Sequence, residues 1–305
     1  ALSRRGTGVR IGLLANPSKP KAIELAELAI SRLKDRAEIV VTSETASELR
    51  GSPPSQPLEH ISADLLLAFG GDGTFLMTLH RSALPLLAIN AGTVGFLAEL
   101  DGNDREGLER SLEAVLERRY FLEDRMRIAC EVNGERLPDA INEVVLHTSH
   151  VAKMRHFEIS VNDVPMGRLR ADGMIVATPT GSTAYSMSLL GPVMDPGMEA
   201  MIVTSVAPFR SFARSVILDP LRSVRIRLLQ PDKGAVAVVD GQTEVSVAPG
   251  GSILCYRSPR KASFVRFAPR YFQPLQGKPI LPWYELDEPT PNDGDTDESP
   301  LPTSA

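Results

Sequence analysis

The chain has only two cysteines, Cys130 and Cys255, far apart and outside any CxxC pair. That excludes a disulfide-stapled scaffold and a cysteine-built zinc site. It suits two buried thiols in a reducing compartment, with one remote bridge as the single alternative pairing. No stretch reaches the roughly 18 uninterrupted apolar residues of a spanning helix, and Ala1 to Arg10 holds no apolar segment of the secretory type. The reading is a cytoplasmic protein. Aromatic residues make up only 5%, so the 43% hydrophobic fraction is mostly aliphatic, and with 23% charged residues this is the balance of a globular chain with a large core. No GxxxxGK[ST] motif occurs and no HRD and DFG pair, which removes P-loop NTPases and protein kinases.

Positive charge is also short. The formal net charge is −5, and from Glu285 onward seven acids stand with no Lys or Arg. The rest of the chain is therefore close to neutral, which gives no electrostatic reason to expect nucleic acid or an anionic membrane as partner. Residues 285–305 read as a solvated, disordered acidic tail.

What remains, at 305 residues, is room for two domains. Val9 to Ala15, Ile39 to Val41, Ala63 to Phe69 and Pro85 to Ile89 are short apolar runs. They alternate with helical stripes at Ile23 to Leu33 and Leu108 to Leu116. Strands apolar on both faces imply a parallel sheet covered by helices. After Arg125 the texture becomes β-rich: Met126 to Val132, Ile141 to Leu146, Phe157 to Val161, Met174 to Ala177, Val224 to Leu229, Ala235 to Val239, Glu244 to Val247, Ser252 to Tyr256 and Ser263 to Phe267. Asn133-Gly134, Asn162-Asp163 and Asp240-Gly241 divide these runs and favour tight hairpin turns. The expected fold class is an α/β N-terminal domain with a parallel sheet (1–122), followed by a predominantly antiparallel β domain (123–270). A return segment, 271–284, leads to the tail.

Three segments carry chemistry. Gly70-Gly71-Asp72-Gly73-Thr74 follows an apolar strand, where glycines let backbone amides approach an anion and a strand's carboxyl end holds ligands. Asp72 would stand beside a bound phosphate chain and take a proton from an attacking hydroxyl. Asn142-Glu143 heads a strand; an Asn suits the donor and acceptor edge of a base, a carboxylate the vicinal hydroxyls of a ribose. Arg170-Ala171-Asp172-Gly173 precedes a strand and then Thr178-Pro179-Thr180-Gly181-Ser182-Thr183-Ala184-Tyr185-Ser186, a run of hydroxyls and small residues with a tyrosine able to stack on a ring. Each has a plainer reading in isolation: a helix cap for Asp72, a strand-end cap for Asn142-Glu143, an ordinary Ser/Thr loop for 178–186. His147 and His150 lack further ligands nearby in the sequence, so no metal site is expected.

In this order the segments resemble the NAD kinases, over about residues 9 to 270. GGDG alone is shared with diacylglycerol and sphingosine kinases and, in related form, with 6-phosphofructokinases; TPTGSTAYS looks like NAD kinases alone. The resemblance implies transfer of a terminal phosphoryl group from ATP, or from polyphosphate, to the 2′-hydroxyl of the adenosine ribose of NAD, with Asp72 as proton acceptor and Mg²⁺ carried by the donor. It assigns the nucleotide site to Gly73, Asn142, Glu143, Asp172, Thr183, Ala184, Tyr185, Ser186, Met187 and Ser188, with Lys153, Arg170 and Gln242 as further NAD contacts. It also implies a homodimer or homotetramer in which a neighbouring subunit supplies part of the NAD site. Arg170 looks like the ATP-using members. Met77 departs from the basic or polar residue many relatives carry shortly after GGDGT, and the tail has no counterpart. Two rivals remain: a lipid kinase built on the same GGDG loop, for which no basic amphipathic segment is visible, and a dinucleotide-binding sensor without turnover.

Overall fold

Strands that are apolar on both faces must be covered on both, and the first half of the chain does this. The structure is a computed structural model, and it describes residues 8–269 apart from 52, 93–94, 151–152, 210–212 and 231–232. The first half runs β1 (Val9–Ala15), α1 (Pro20–Leu33), β2 (Ala37–Thr42), α2 (Ser43–Ala46), β3 (Ser55–Gln56), β4 (Leu65–Gly70), α3 (Asp72–Arg81), β5 (Leu86–Asn90), β6 (Leu100–Asp101) and α4 (Arg105–Leu116). Strands β2, β1, β4 and β5 lie side by side and parallel. Alternate residues face opposite ways: Leu65, Leu67 and Phe69 pack under α1 and α4, whereas Leu66 and Ala68 meet Phe75, Leu76 and Leu79 of α3. Pro20, whose fixed φ suits a first turn, opens α1, and Asp104 caps α4 by accepting from the Gly107 amide at 2.8 Å.

The second half runs β7 (Phe121–Val132), β8 (Glu135–Arg136), β9 (Glu143–Thr148), β10 (Arg155–Val161), β11 (Val164–Ala171), β12 (Gly173–Ala177), α5 (Tyr185–Ser188) and β13 (Met201–Val206). It continues with β14 (Val216–Leu218), β15 (Ser223–Leu228), β16 (Ala235–Val239), β17 (Thr243–Val247) and β18 (Ser252–Arg266). One sheet, in the order β14-β13-β12-β9-β16-β17, is antiparallel throughout. It packs face to face on β7, β10, β15 and β18 through Ile128, Val144, Leu146, Phe157, Val176, Ala237, Ile226 and Ile253. The long β18 pairs antiparallel with β7 and β15 and, at Phe264, parallel with Leu86 of β5. The parallel sheet is thereby continuous with the antiparallel strands.

The structure shows the expected α/β arrangement followed by antiparallel β. All three hairpin dipeptides adopt positive φ at both positions: Asn133 and Gly134, Asn162 and Asp163, Asp240 and Gly241. Three details differ. Ser252 to Tyr256 and Ser263 to Arg266 belong to one strand, interrupted by a register shift between Arg257 and Lys261, and Phe267 lies just past its end. The strand expected from Ile141 begins at Glu143, because the Ile141, Asn142 and Glu143 amides are taken by Asp240. Strand β11 has no apolar run to announce it; nearly all of its residues are exposed. Residues 271–305, including the tail, lie outside the described residues.

Candidate active site

Helix α3 begins one residue after the end of β4, so Asp72 stands in its first turn with Gly71 as N-cap. The half-buried carboxylate accepts hydrogen bonds from the Phe96 amide at 2.9 Å and the Leu97 amide at 3.3 Å. A Cβ on Gly95 would overlap that carboxylate, so the loop approaches Asp72 as closely as a glycine allows. Gly73 is exposed and faces open space. Asn16, after β1, donates from Nδ2 to Thr74 Oγ1 at 3.0 Å and ties the first strand's end to this turn.

Lys19 carries no motif that marks it as a site residue. Its ammonium lies 3.2 Å from where a Cβ of Gly71 would stand and 2.9 Å from that of Gly92, so a cation roofs the glycine turn. Among the described residues no carboxylate pairs with it. Beside the same turn, a cleft of about 290 Å³ is lined by Asn16, Thr42, Glu44, Gly73, Met77 and Arg81, among others, at the carboxyl ends of β1 and β2.

The second group gathers at the head of β9. Thr178 Oγ1 donates to the Ile141 carbonyl at 2.6 Å, the Thr178 amide to the Asn142 carbonyl at 2.8 Å, and a Cβ on Gly181 would collide with that same carbonyl. The loop 178–188 is thus clamped onto Asn142-Glu143, and two segments separated in sequence become one surface. Asn142 Oδ1, Glu143 Oε2 and Ser186 Oγ are buried without a partner. Native interiors rarely leave such atoms unmet, so these are the groups a polar ligand would satisfy. Burial, and secondarily the charge of Asp240, push the Glu143 carboxyl up to about 8; the Tyr185 backbone amide opposes the shift. At neutral pH Glu143 is therefore mostly protonated and able to donate as well as accept. Around it Thr183, Ala184 and Met187 are half-buried, and Tyr185 and Ser188 are exposed.

Four expected residues lie elsewhere or at the margin. Gln242 is exposed on the β16–β17 hairpin, two residues from Asp240 and hence near the head of β9. Asp172, Arg170 and Lys153 stand at the other end of the sheet: Asp172 accepts through its carbonyl from the Thr148 amide, while the ladder runs from His147 opposite Gly173 to Glu143 opposite Ala177. At ~3.4 Å per residue that is about 15 Å away. Asp172 Oδ1 is buried without a partner, Arg170 stacks over Phe209 at 4.9 Å, and the Lys153 side chain is exposed. Among the described residues no group of three His, Cys, Asp or Glu could hold a metal ion, and no helix is long and apolar enough to cross a membrane.

Comparison with known proteins gives a family. Residues 55–120 match the ATP-NAD kinase N-terminal domain and residues 141–267 the ATP-NAD kinase C-terminal domain. The chain is 41% identical over 277 residues to the NAD kinase of Methanothermobacter thermautotrophicus, covering 89% of this chain and 96% of that protein. It is 35% identical over 267 residues to the NAD kinase of Methanosarcina mazei, covering 86% and 91%. An NAD kinase from Archaeoglobus fulgidus solved in complex with ATP superposes with a TM-score of 0.70 at 28% identity, over 84% of this chain and 92% of that one. A yeast NADH kinase complexed with NADH shares the fold, with a TM-score of 0.77 at 24% identity over 86% and 84% of the two chains.

Proposed function

This chain belongs to the NAD kinase family, and from that premise we propose how it acts: it transfers the terminal phosphoryl group of ATP to the adenosine-ribose 2′-hydroxyl of NAD, giving NADP, with Asp72 as base. A ribose hydroxyl is a poor nucleophile at neutral pH, and a carboxylate within hydrogen-bond reach supplies ~10²–10⁴-fold of general-base catalysis. The hydroxyl oxygen attacks the γ-phosphorus, its proton passes to Asp72, and the bond to the β-phosphate oxygen breaks to release ADP. The observation that carries this reading is the Asp72 carboxylate, held by the Phe96 and Leu97 amides at the mouth of a glycine turn.

Phosphoryl transfer otherwise depends on positioning and charge neutralisation. Mg²⁺ arrives with ATP as part of the substrate, and Lys19 supplies the cation that a P-loop lysine supplies elsewhere. The cleft beside Asn16 and Met77 takes the donor's nucleoside. On the acceptor side Asn142 Oδ1, Glu143 and Ser186 Oγ bind the adenosine half of NAD, with Thr183, Ala184, Tyr185, Met187 and Ser188 as the wall and Gln242 at its edge.

Asp172, Arg170 and Lys153 serve a neighbouring copy's site, in a homodimer or homotetramer. Their place at the far end of the sheet supports this, as do exposed Val216 and Ile217 on the edge strand β14. The chain comprises two domains that divide at 122–123. Polyphosphate serves as a second donor, and the protein works in the cytoplasm, a setting that the free thiols Cys130 and Cys255 fit. A lipid acceptor is not supported, because the matching family and the relatives above are those of NAD kinases.

The test is a mass-resolved assay with NAD and either MgATP or Mg-polyphosphate. Wild type forms NADP, and Asp72→Asn lowers kcat by about 10²–10⁴ while both substrates still bind. A phosphorylated lipid in place of NADP, or a variant rate within a few-fold of wild type, overturns the reading.

A further inference from the structure

We propose that Asp240 is a positioning residue: its buried carboxylate sets where Asn142 and Glu143 stand, and through His80 it locks that acceptor strand to the helix that presents Asp72. The proposal rests on Asn142 being an NAD ligand, as read above. Asp240 lies in the β16–β17 turn with φ +49°, a conformation Asp tolerates better than most residues, and its side chain is fully buried. Oδ1 accepts from the Asn142 amide at 2.8 Å and the Glu143 amide at 2.9 Å. Oδ2 accepts from the Ile141 amide at 2.7 Å and faces His80 Nε2 at 2.8 Å. Two carboxylate oxygens offer about four acceptor sites, and all four are used.

Three consecutive backbone amides captured by one anion leave little freedom in where β9 begins. The side chains of Asn142 and Glu143, with their unpartnered oxygens, are aimed accordingly. The fourth partner gives the arrangement its reach. His80 is eight residues after Asp72 on α3, about 12 Å along the axis at ~1.5 Å per residue. One carboxylate therefore holds both the strand that binds the acceptor and the helix whose first turn carries the base. The charge of Asp240 also helps keep Glu143 protonated. With its acceptor sites spent on protein groups, Asp240 acts through them and not on substrate.

Asp240→Asn tests this because an amide keeps the shape but turns two N–H donors toward groups that themselves donate. Equilibrium binding of NAD alone and of ATP alone is measured by calorimetry, with steady-state kinetics. The expected result is at least a tenfold weaker NAD affinity and a lower kcat, with ATP affinity within twofold of wild type. Equal weakening of both ligands, the mark of a merely structural role, or unchanged NAD affinity overturns it. Should that variant not fold, His80→Ala leaves the three amide bonds intact and is expected to lower kcat at least fivefold with NAD affinity within twofold; unchanged kcat overturns the link to α3. Asn142→Ala separates the two readings. If it leaves NAD binding unchanged, the site assignment has failed; if it weakens NAD and Asp240→Asn does not, the positioning role has failed.

Discussion

Gly95 stands against the carboxylate of Asp72 so closely that any β-carbon at that position would occupy the space the carboxylate fills. The Phe96 and Leu97 amides reach Asp72 because the residue before them has no side chain. Gly95→Ala is expected to push the base aside. Misplacing a catalytic group by about 1 Å costs on the order of 10²-fold in rate. The variant should melt within a few degrees of wild type while its kcat falls by that order, as read by NADP formation; a normal kcat would remove the fixed carboxylate from the account.

Lys19→Met deletes the cation over Gly71 and Gly92 without shortening the side chain much. A charge-assisted contact to phosphate contributes roughly 1.5–3 kcal/mol, equivalent to about 10–100-fold in affinity. The KM for ATP should rise by that factor and the KM for NAD by less than threefold. Lys19→Arg should recover part of the loss. An unchanged ATP KM would show that the ammonium faces solvent and not the donor.

Glu143 gives a pH prediction. Its folded-state pKa, about 8, lies above the ordinary 4.5, so the native state holds a proton that the unfolded chain has released. Its contribution to stability is fully present below pH 4.5 and is lost progressively as the pH rises to about 8. Glu143→Gln removes the titration. Its melting temperature should change less than wild type's between pH 5 and 8. At pH 8 the variant should be the more stable by roughly 1–3 kcal/mol, short of the several the shift allows at about 1.36 kcal/mol per unit. Weaker NAD binding should accompany that gain.

Arg266 and Glu99 form an ion pair at 3.0 Å with both side chains almost fully buried. Removing one partner of such a pair leaves an uncompensated charge and costs about 3–5 kcal/mol, whereas replacing both is far milder. Arg266→Met strips a cation from both Glu99 and Glu123 and should lower the denaturation midpoint sharply; Arg266→Met with Glu99→Gln should recover part of it, since Glu123 keeps Arg125. Equal destabilisation by the single and the double variant would refute the argument from charge burial.

Some of this was legible in the sequence and some was not, for a physical reason. Asn133-Gly134, Asn162-Asp163 and Asp240-Gly241 were readable because a left-handed turn is a local demand met by local residue types. The parallel strands were readable because burial on both faces leaves an unbroken apolar run, as in Leu65 to Phe69. Strand β11 was not, since its solvent-facing residues carry no such mark. The site divides the same way. The glycines around Asp72 announce a close approach, but Lys19 is a lysine among many until the fold lays it over them. Asp240 reads as a turn former in sequence; that it also captures three amides about a hundred residues away is a tertiary fact.

The placement of β18 bears on how the chain is made. Strand β5 has β4 on one side; on the other β6 covers Ile89 and Asn90, but the Leu86 end meets β18, which leaves the ribosome long after residues 86–90 have emerged. Until then the nascent parallel sheet carries an open edge at Leu86 and Leu87, the kind of edge that recruits foreign strands. Its closure requires a contact between distant parts of the chain, which is intrinsically slow. Termination of synthesis before residue 264 would leave that edge unsealed, so truncated products of this chain are expected to aggregate rather than persist as a free N-terminal half.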